Sequence, residues 1–229
     1  LELKQRLEHI KKRIRQVAES CNRDPGSIRL VVVSKTFPPE TVKEAIEAGA
    51  AILGENYVQE AREKFEALVQ YPVSWHFIGH LQSNKAKYAV RLFDLIHSVD
   101  SLKLARALDK EAQKAEKIQP ILVQVNISGE DTKSGIAAEN TLSLISEISQ
   151  MENVSIKGLM TMPPYFYQPE KVRPYFAALR KLRDQIKNQS LRNVSLEELS
   201  MGMTGDFEVA IEEGATLVRI GTAIFGERK

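Results

Sequence analysis

The chain has 229 residues, 43% of them hydrophobic and 27% charged, the ordinary balance of a soluble globular protein long enough for one large domain or two small ones. Its 32 basic and 30 acidic side chains leave a formal net charge of +2, too small to imply nucleic acid or an anionic membrane as a partner. Cys21 is the only cysteine, which rules out an intrachain disulfide and makes a reducing, cytoplasmic compartment the expected setting.

Leu3, Leu7, Ile10, Ile14, Val17 and Cys21 form one stripe and predict an amphipathic helix at the start of the chain. This segment lacks the apolar core of a signal peptide, and nothing in the sequence approaches the roughly 18 consecutive apolar residues of a membrane span. The stripe could serve as a dimer seam, but three heptads are marginal; packing against the rest of the domain, and a monomer, are expected. Lys11, Lys12 and Arg13 read as its solvated face.

From there short apolar runs alternate with helical periodicity. Predicted strands cover residues 30–35, 51–56, 75–79, 95–99, 120–127, 154–162, 198–203 and 217–225, with a helical pattern after each of the first seven. The third of these helices is expected over 83–92. Pro163 and Pro164 must end the sixth strand, because proline cannot donate to a ladder. Eight β/α alternations without a linker or composition break predict a single α/β domain over residues 1–229, a closed (β/α)8 TIM barrel with an extra amino-terminal helix.

Barrel ligands bind at the carboxyl ends of the strands, so polar groups at those ends are the candidates for a site. Lys35 closes the first strand, where a desolvated amine would be a nucleophile toward a carbonyl; a cap on a carboxylate is the plainer reading. Arg219 interrupts the apolar run of the last strand and needs a partner, either a barrel carboxylate such as Glu55 or an acceptor on a ligand. Gly221 and Thr222 follow it immediately. Ser200, Gly202, Thr204 and Gly205 precede a short helix; with Gly221 and Thr222 they occupy the loops after strands seven and eight, the recurrent phosphate position of barrels. Asn56 and Asn126 end strands two and five and could orient a ligand or satisfy loop backbone. His76, between Trp75 and Phe77, reads as a hydrogen-bonded core histidine. With one cysteine, four scattered histidines and no HExxH or CxxC, no metal site is expected.

Taken together, VSKT at 33–36, LGENYVQE at 53–60, WHFIGHLQSNK at 75–85, KSGI at 133–136, GLMTM at 158–162, LSMGM at 199–203 and VRIGTAIFG at 218–226 resemble the pyridoxal phosphate homeostasis proteins along essentially the whole chain. Their single domain is similar to the barrel domain of alanine racemases, the fold-type III class of pyridoxal phosphate (PLP) proteins. Thr204 stands where this family most often has serine and keeps the hydroxyl. The resemblance implies that Lys35 carries PLP as a Schiff base, that Asn56 and Gly202 line the cofactor site, that Ser200, Gly221 and Thr222 surround the phosphate, and that Arg219 faces the pyridine nitrogen. It further implies vitamin B6 homeostasis without dedicated turnover, with PLP-dependent apoenzymes as candidate recipients. An amino-acid racemase is the alternative, with residual activity of that type left open, and a Schiff-base aldolase is more remote. Racemases of this barrel draw a second base from an additional domain, and here the sequence ends directly after the eighth strand, so efficient racemisation is not expected.

Overall fold

The computed structural model describes residues 2–130 and 133–226. Eight parallel strands form the predicted closed barrel: β1 (Arg29–Val33), β2 (Ile52–Glu55), β3 (Ser74–Phe77), β4 (Leu95–Val99), β5 (Gln119–Asn126), β7 (Val154–Met160), β8 (Val194–Ser200) and β9 (Leu217–Ile220). Pairing of β4 with β5 and of β1 with β9 closes the ring. A two-residue strand, β6 (Ile136–Ala137), adds to the end of β5. Helices α2 (Pro39–Glu47), α3 (Val58–Leu68), α4 (Ala86–Leu92), α5 (Leu102–Lys114), α6 (Thr141–Ile148), α7 (Arg173–Lys187) and α8 (Phe207–Glu212) lie between the strands.

Strand alternation divides the core in two. Outward positions such as Val32, Leu53, Phe77, Ile96, Val123, Leu159, Leu199 and Val218 pack under the helices. Val31, Ile52, Leu95, Leu122, Met160 and Leu217 form a separate apolar cluster inside the barrel. Two residues further along their strands stand His97, Gln124 and Arg219, so the interior turns polar toward the carboxyl ends.

The amino-terminal helix, α1 (Leu3–Ser20), buries Leu7, Ile10, Ile14 and Ala18, and it packs on α2, α8 and the short α9 (Thr222–Phe225). The apolar stripe is thus spent on the barrel. Several strand boundaries differ from those the sequence predicts; β1 and β3 each end two residues early, at Val33 and Phe77. β7 stops at Met160, two residues before the predicted end. β8 begins at Val194, because Glu197 and Glu198 broke the apolar pattern without breaking the strand. β9 stops at Ile220, and residues 222–225 turn into α9, whose Ile224 and Phe225 are buried.

Gly158 is the glycine with the least room for a side chain. A Cβ there would lie 1.9 Å from the carbonyl oxygen of Glu198 on β8, and the register between β7 and β8 shifts at this point. Backbone cannot swing aside as a side chain can. Gly158→Ala is expected to destabilise the protein by about 3 kcal/mol or prevent folding, read as the urea midpoint of the purified variant against wild type.

Candidate functional site

A cavity of about 240 Å³ opens at the carboxyl-terminal mouth of the barrel. Lys35, in the turn after β1, lines one side, with Val33, Asn56 and Ile78 from the neighbouring strand ends. Across from them are Met203, Thr204, Gly205 and Asp206 after β8, and Gly221 and Thr222 after β9. Arg219 reaches it from inside the barrel, while Met162, Tyr165 and Phe166 come from the loop after β7.

Arg219 is 3% exposed, and its guanidinium is built into a chain of buried hydrogen bonds. Its Nη1 donates to Ser200 Oγ at 2.6 Å and its Nη2 to the Thr161 carbonyl at 2.9 Å. Ser200 Oγ in turn meets His97 Nδ1 at 2.8 Å, and His97 Nε2 meets His76 Nδ1 at 2.9 Å. Thr161 Oγ1 donates to the Val125 carbonyl at 2.9 Å. The chain links β3, β4, β8, β9, the end of β7 and β5 across the barrel interior. Arg219 always donates, so a uniform direction follows if the Ser200 hydroxyl donates on to His97 and His97 to His76.

Burial lowers the pKa of Arg219 to about 10, with Asp206 pulling the other way. It therefore remains a cation at neutral pH. Desolvation pushes His76 down to about 4, and pushes His97 well below its ordinary value, where the positive charge that His76 and Arg219 would place beside it acts in the same sense. Both imidazoles are neutral.

Of the residues expected from the sequence, Lys35, Asn56, Arg219, Gly221 and Thr222 meet at the cavity, as does Thr204. Ser200 and Gly202 do not line it. Ser200 points into the barrel and is fully buried against Arg219. Gly202 has φ +94°, and a Cβ there would come within 2.5 Å of the Ala210 Cβ, so its place is set by the packing of α8. Glu55, considered as a partner for Arg219, points outward by strand alternation and pairs with Lys64 of α3 at 2.8 Å. Asn126 satisfies loop backbone, donating to the Glu130 carbonyl at 2.8 Å and accepting from Gly129 N at 3.1 Å. His76 is the core histidine expected. The sequence reading passed over His97, although it interrupts an apolar strand as Arg219 does, and over the cavity wall formed by Met162 and Phe166. Among the described residues no cluster of His, Cys, Asp or Glu could hold a metal ion, and no helix is long and apolar enough to cross a membrane.

Residues 5–229 match the family described as alanine racemase, N-terminal domain. A pyridoxal phosphate homeostasis protein of Aquifex aeolicus (strain VF5) is 48% identical over 225 residues, covering 98% of both chains. The chain belongs to the pyridoxal phosphate homeostasis protein family. Its relative in Escherichia coli (strain K12) is 39% identical over 227 residues, covering 97% of this chain and 95% of that one. Among solved structures, PipY of Synechococcus elongatus PCC7942 with PLP bound superimposes with a TM-score of 0.86 at 34% identity, covering 98% of this chain and all of that one. An alanine racemase of Clostridium difficile 630 shares the fold, with a TM-score of 0.75 at 15% identity; it covers 99% of this chain and 57% of that one.

The cavity suits the cofactor named in this family. It presents an amine, a buried donor-only cation, two threonine hydroxyls and the amide of Asn56, whose buried Oδ1 has no hydrogen-bond partner among the described residues. An acceptor left in that state calls for a donor, and the ring hydroxyl of the cofactor is the group that could supply one.

The neutral histidines make folding stability depend on pH. In the unfolded chain they bind protons near 6.5, whereas folded His76 resists protonation down to about 4. Stability is therefore full above pH 6.5 and falls as the pH drops toward 4. Urea midpoints measured across this range should decline for wild type, and His76→Gln should flatten the decline between pH 6.5 and about 5, above the main carboxylate titrations.

Proposed function

We propose that this protein binds pyridoxal 5′-phosphate as a Schiff base on Lys35 and holds it for delivery to PLP-dependent apoenzymes, without a substrate of its own. One observation carries the reading: Lys35, Arg219, Thr204 and Thr222 converge on one cavity at the barrel mouth. The likeness to PipY, solved with PLP bound, supports it.

When bound, PLP supplies an aldehyde and an electron-withdrawing ring. The Lys35 amine, in the turn after β1, would hold the group through that aldehyde. Thr204 and Thr222 offer hydroxyls to the phosphate from the loops after β8 and β9, the usual anion position of a barrel. Ser200 serves the phosphate indirectly at most; its work is to hold the Arg219 guanidinium.

Arg219 commits two N–H groups to Ser200 and Thr161 and would have others to offer the ring nitrogen. Being a cation at neutral pH, it would donate there and keep that nitrogen unprotonated. Electron withdrawal by the ring is then weak, which argues for retention over turnover. Racemisation also requires a base on each face of the reacting carbon, and Lys35 serves one face. Tyr165, the tyrosine in the cavity wall, is 73% exposed and packs edge-on against Tyr167 at 5.4 Å.

Borohydride reduction of the PLP-loaded protein, followed by peptide mass mapping, should place the phosphopyridoxyl group on Lys35; a label on Lys85 or Lys133 would refute the assignment. Replacing Thr204 and Thr222 together with valine should weaken PLP by about tenfold or more while sparing pyridoxal, the scale of losing hydrogen bonds to a charged group. Ser200→Ala should instead weaken both ligands alike, because it loosens Arg219 and leaves the phosphate contacts in place. Incubation with L-amino acids in deuterated water should give Cα exchange far slower than the turnover of about 1 per second found in ordinary enzymes.

A further inference from the structure

Lys35 sits in a turn that its own backbone does not explain. The β1 ladder ends when Ser34 N donates to the Gly54 carbonyl at 3.0 Å, and Phe37 N then donates back to the Ser34 carbonyl at 3.2 Å. Lys35 and Thr36 are thus the central pair of a tight turn, and Thr36 has φ +70°. Such turns want glycine or asparagine at that place, and a β-branched residue there is strained.

The turn is gripped from outside the barrel by α3. The Thr36 N–H donates to the Glu60 carboxylate. Lys64, one helical turn after Glu60 and only 2% exposed, donates to the Ser34 carbonyl at 2.6 Å. It also pairs with Glu60 at 2.6 Å and Glu55 at 2.8 Å. The Ser34 hydroxyl donates to Glu55 as well. Burial raises the pKa of Glu55, and Lys64 and the Ser34 hydroxyl draw it back. One charged cluster therefore holds both peptide groups that flank the Lys35 Cα, the carbonyl before it and the N–H after it.

We propose that Glu60 and Lys64 are positioning residues that keep the Lys35 turn in its strained form and so set how tightly the protein holds PLP; this rests on Lys35 being the PLP-bearing residue. A lysine side chain has four flexible carbons, and only a fixed Cα can bring its amine to an aldehyde whose ring and phosphate are located by Arg219 and the threonines. Released from Glu60, Thr36 relaxes to negative φ and the Lys35 side chain is re-aimed. Displacements of about 1 Å suffice to weaken such a geometry.

Glu60→Ala should weaken PLP about tenfold, as expected for loss of a charge-assisted hydrogen bond, and should speed hydrogen exchange of the Thr36 amide in the ligand-free protein. Thr36→Gly added to Glu60→Ala should restore most of the affinity, because glycine takes positive φ without strain, while the urea midpoint lost with the ion pair stays lost. A merely structural ion pair would give no such rescue. If Glu60→Ala fails to fold, Glu60→Gln keeps the shape and a weaker acceptor, and it must still show faster Thr36 exchange and weaker binding. Unchanged PLP affinity in the folded Glu60 variant and in Lys64→Met, or absence of rescue, overturns the clamp. Both outcomes leave the Lys35 assignment standing, whereas a wild-type protein labelled elsewhere than Lys35 removes the assignment itself.

Discussion

The interior of this barrel is organised around one buried cation. Taking a guanidinium out of water costs several kcal/mol even after relaxation, and a charge so placed must be held by groups that cannot themselves move away. Arg219 meets that demand with the Ser200 hydroxyl, from the neighbouring strand β8, and the Thr161 carbonyl, from just past the end of β7, the next strand but one. Asp206, half-buried at the cavity edge, supplies the opposing charge. The same requirement reaches further: Ser200 is anchored on His97, and His97 on His76. An apolar layer below and this polar layer above together make the barrel's upper interior a fixed hydrogen-bonded array.

Much of the fold was legible because alternation and helical spacing repeat eight times, and each repeat reinforces the others. The boundaries that failed did so where two structures share one sequence signature. Residues 217–225 read as one apolar strand, yet Gly221 turns the chain and the remainder coils into α9, since a short apolar run has no period long enough to tell strand from helix. β8 carries two glutamates, so its first half looks like a loop. β6 is two residues long and leaves no pattern at all.

The site was legible to the extent that it sits at strand ends. Lys35, Asn56, Gly221 and Thr222 follow from that rule, and Arg219 from the cost of a charge in an apolar strand. Ser200 and Thr204 lie four residues apart with similar chemistry, and sequence alone does not say which of them lines the cavity. The distinction is strand parity: Ser200 is the last residue of β8 and faces inward, whereas Thr204 lies beyond the strand and faces the cavity. The grip of α3 on the Lys35 turn was hidden for another reason, because it depends on the φ of Thr36, and nothing in a threonine's neighbours announces a positive value.

The packing of α1 onto α8 and α9 has a kinetic consequence. Arg6 Nε donates to the Ile224 carbonyl at 2.6 Å across 218 positions, and Arg23 Nη1 holds the Ile211 carbonyl at 2.6 Å across 188. Thr204 and Thr222 are thus presented by segments that are braced only once residues from opposite ends of the described chain have met. β1, which leads into the Lys35 turn, pairs on one side with β9. Contacts of such sequence separation form late, since loop closure must precede them. The two halves of the cavity therefore come into register at the closing step of barrel assembly, and a partly folded chain would present Lys35 without the opposite wall of the cavity.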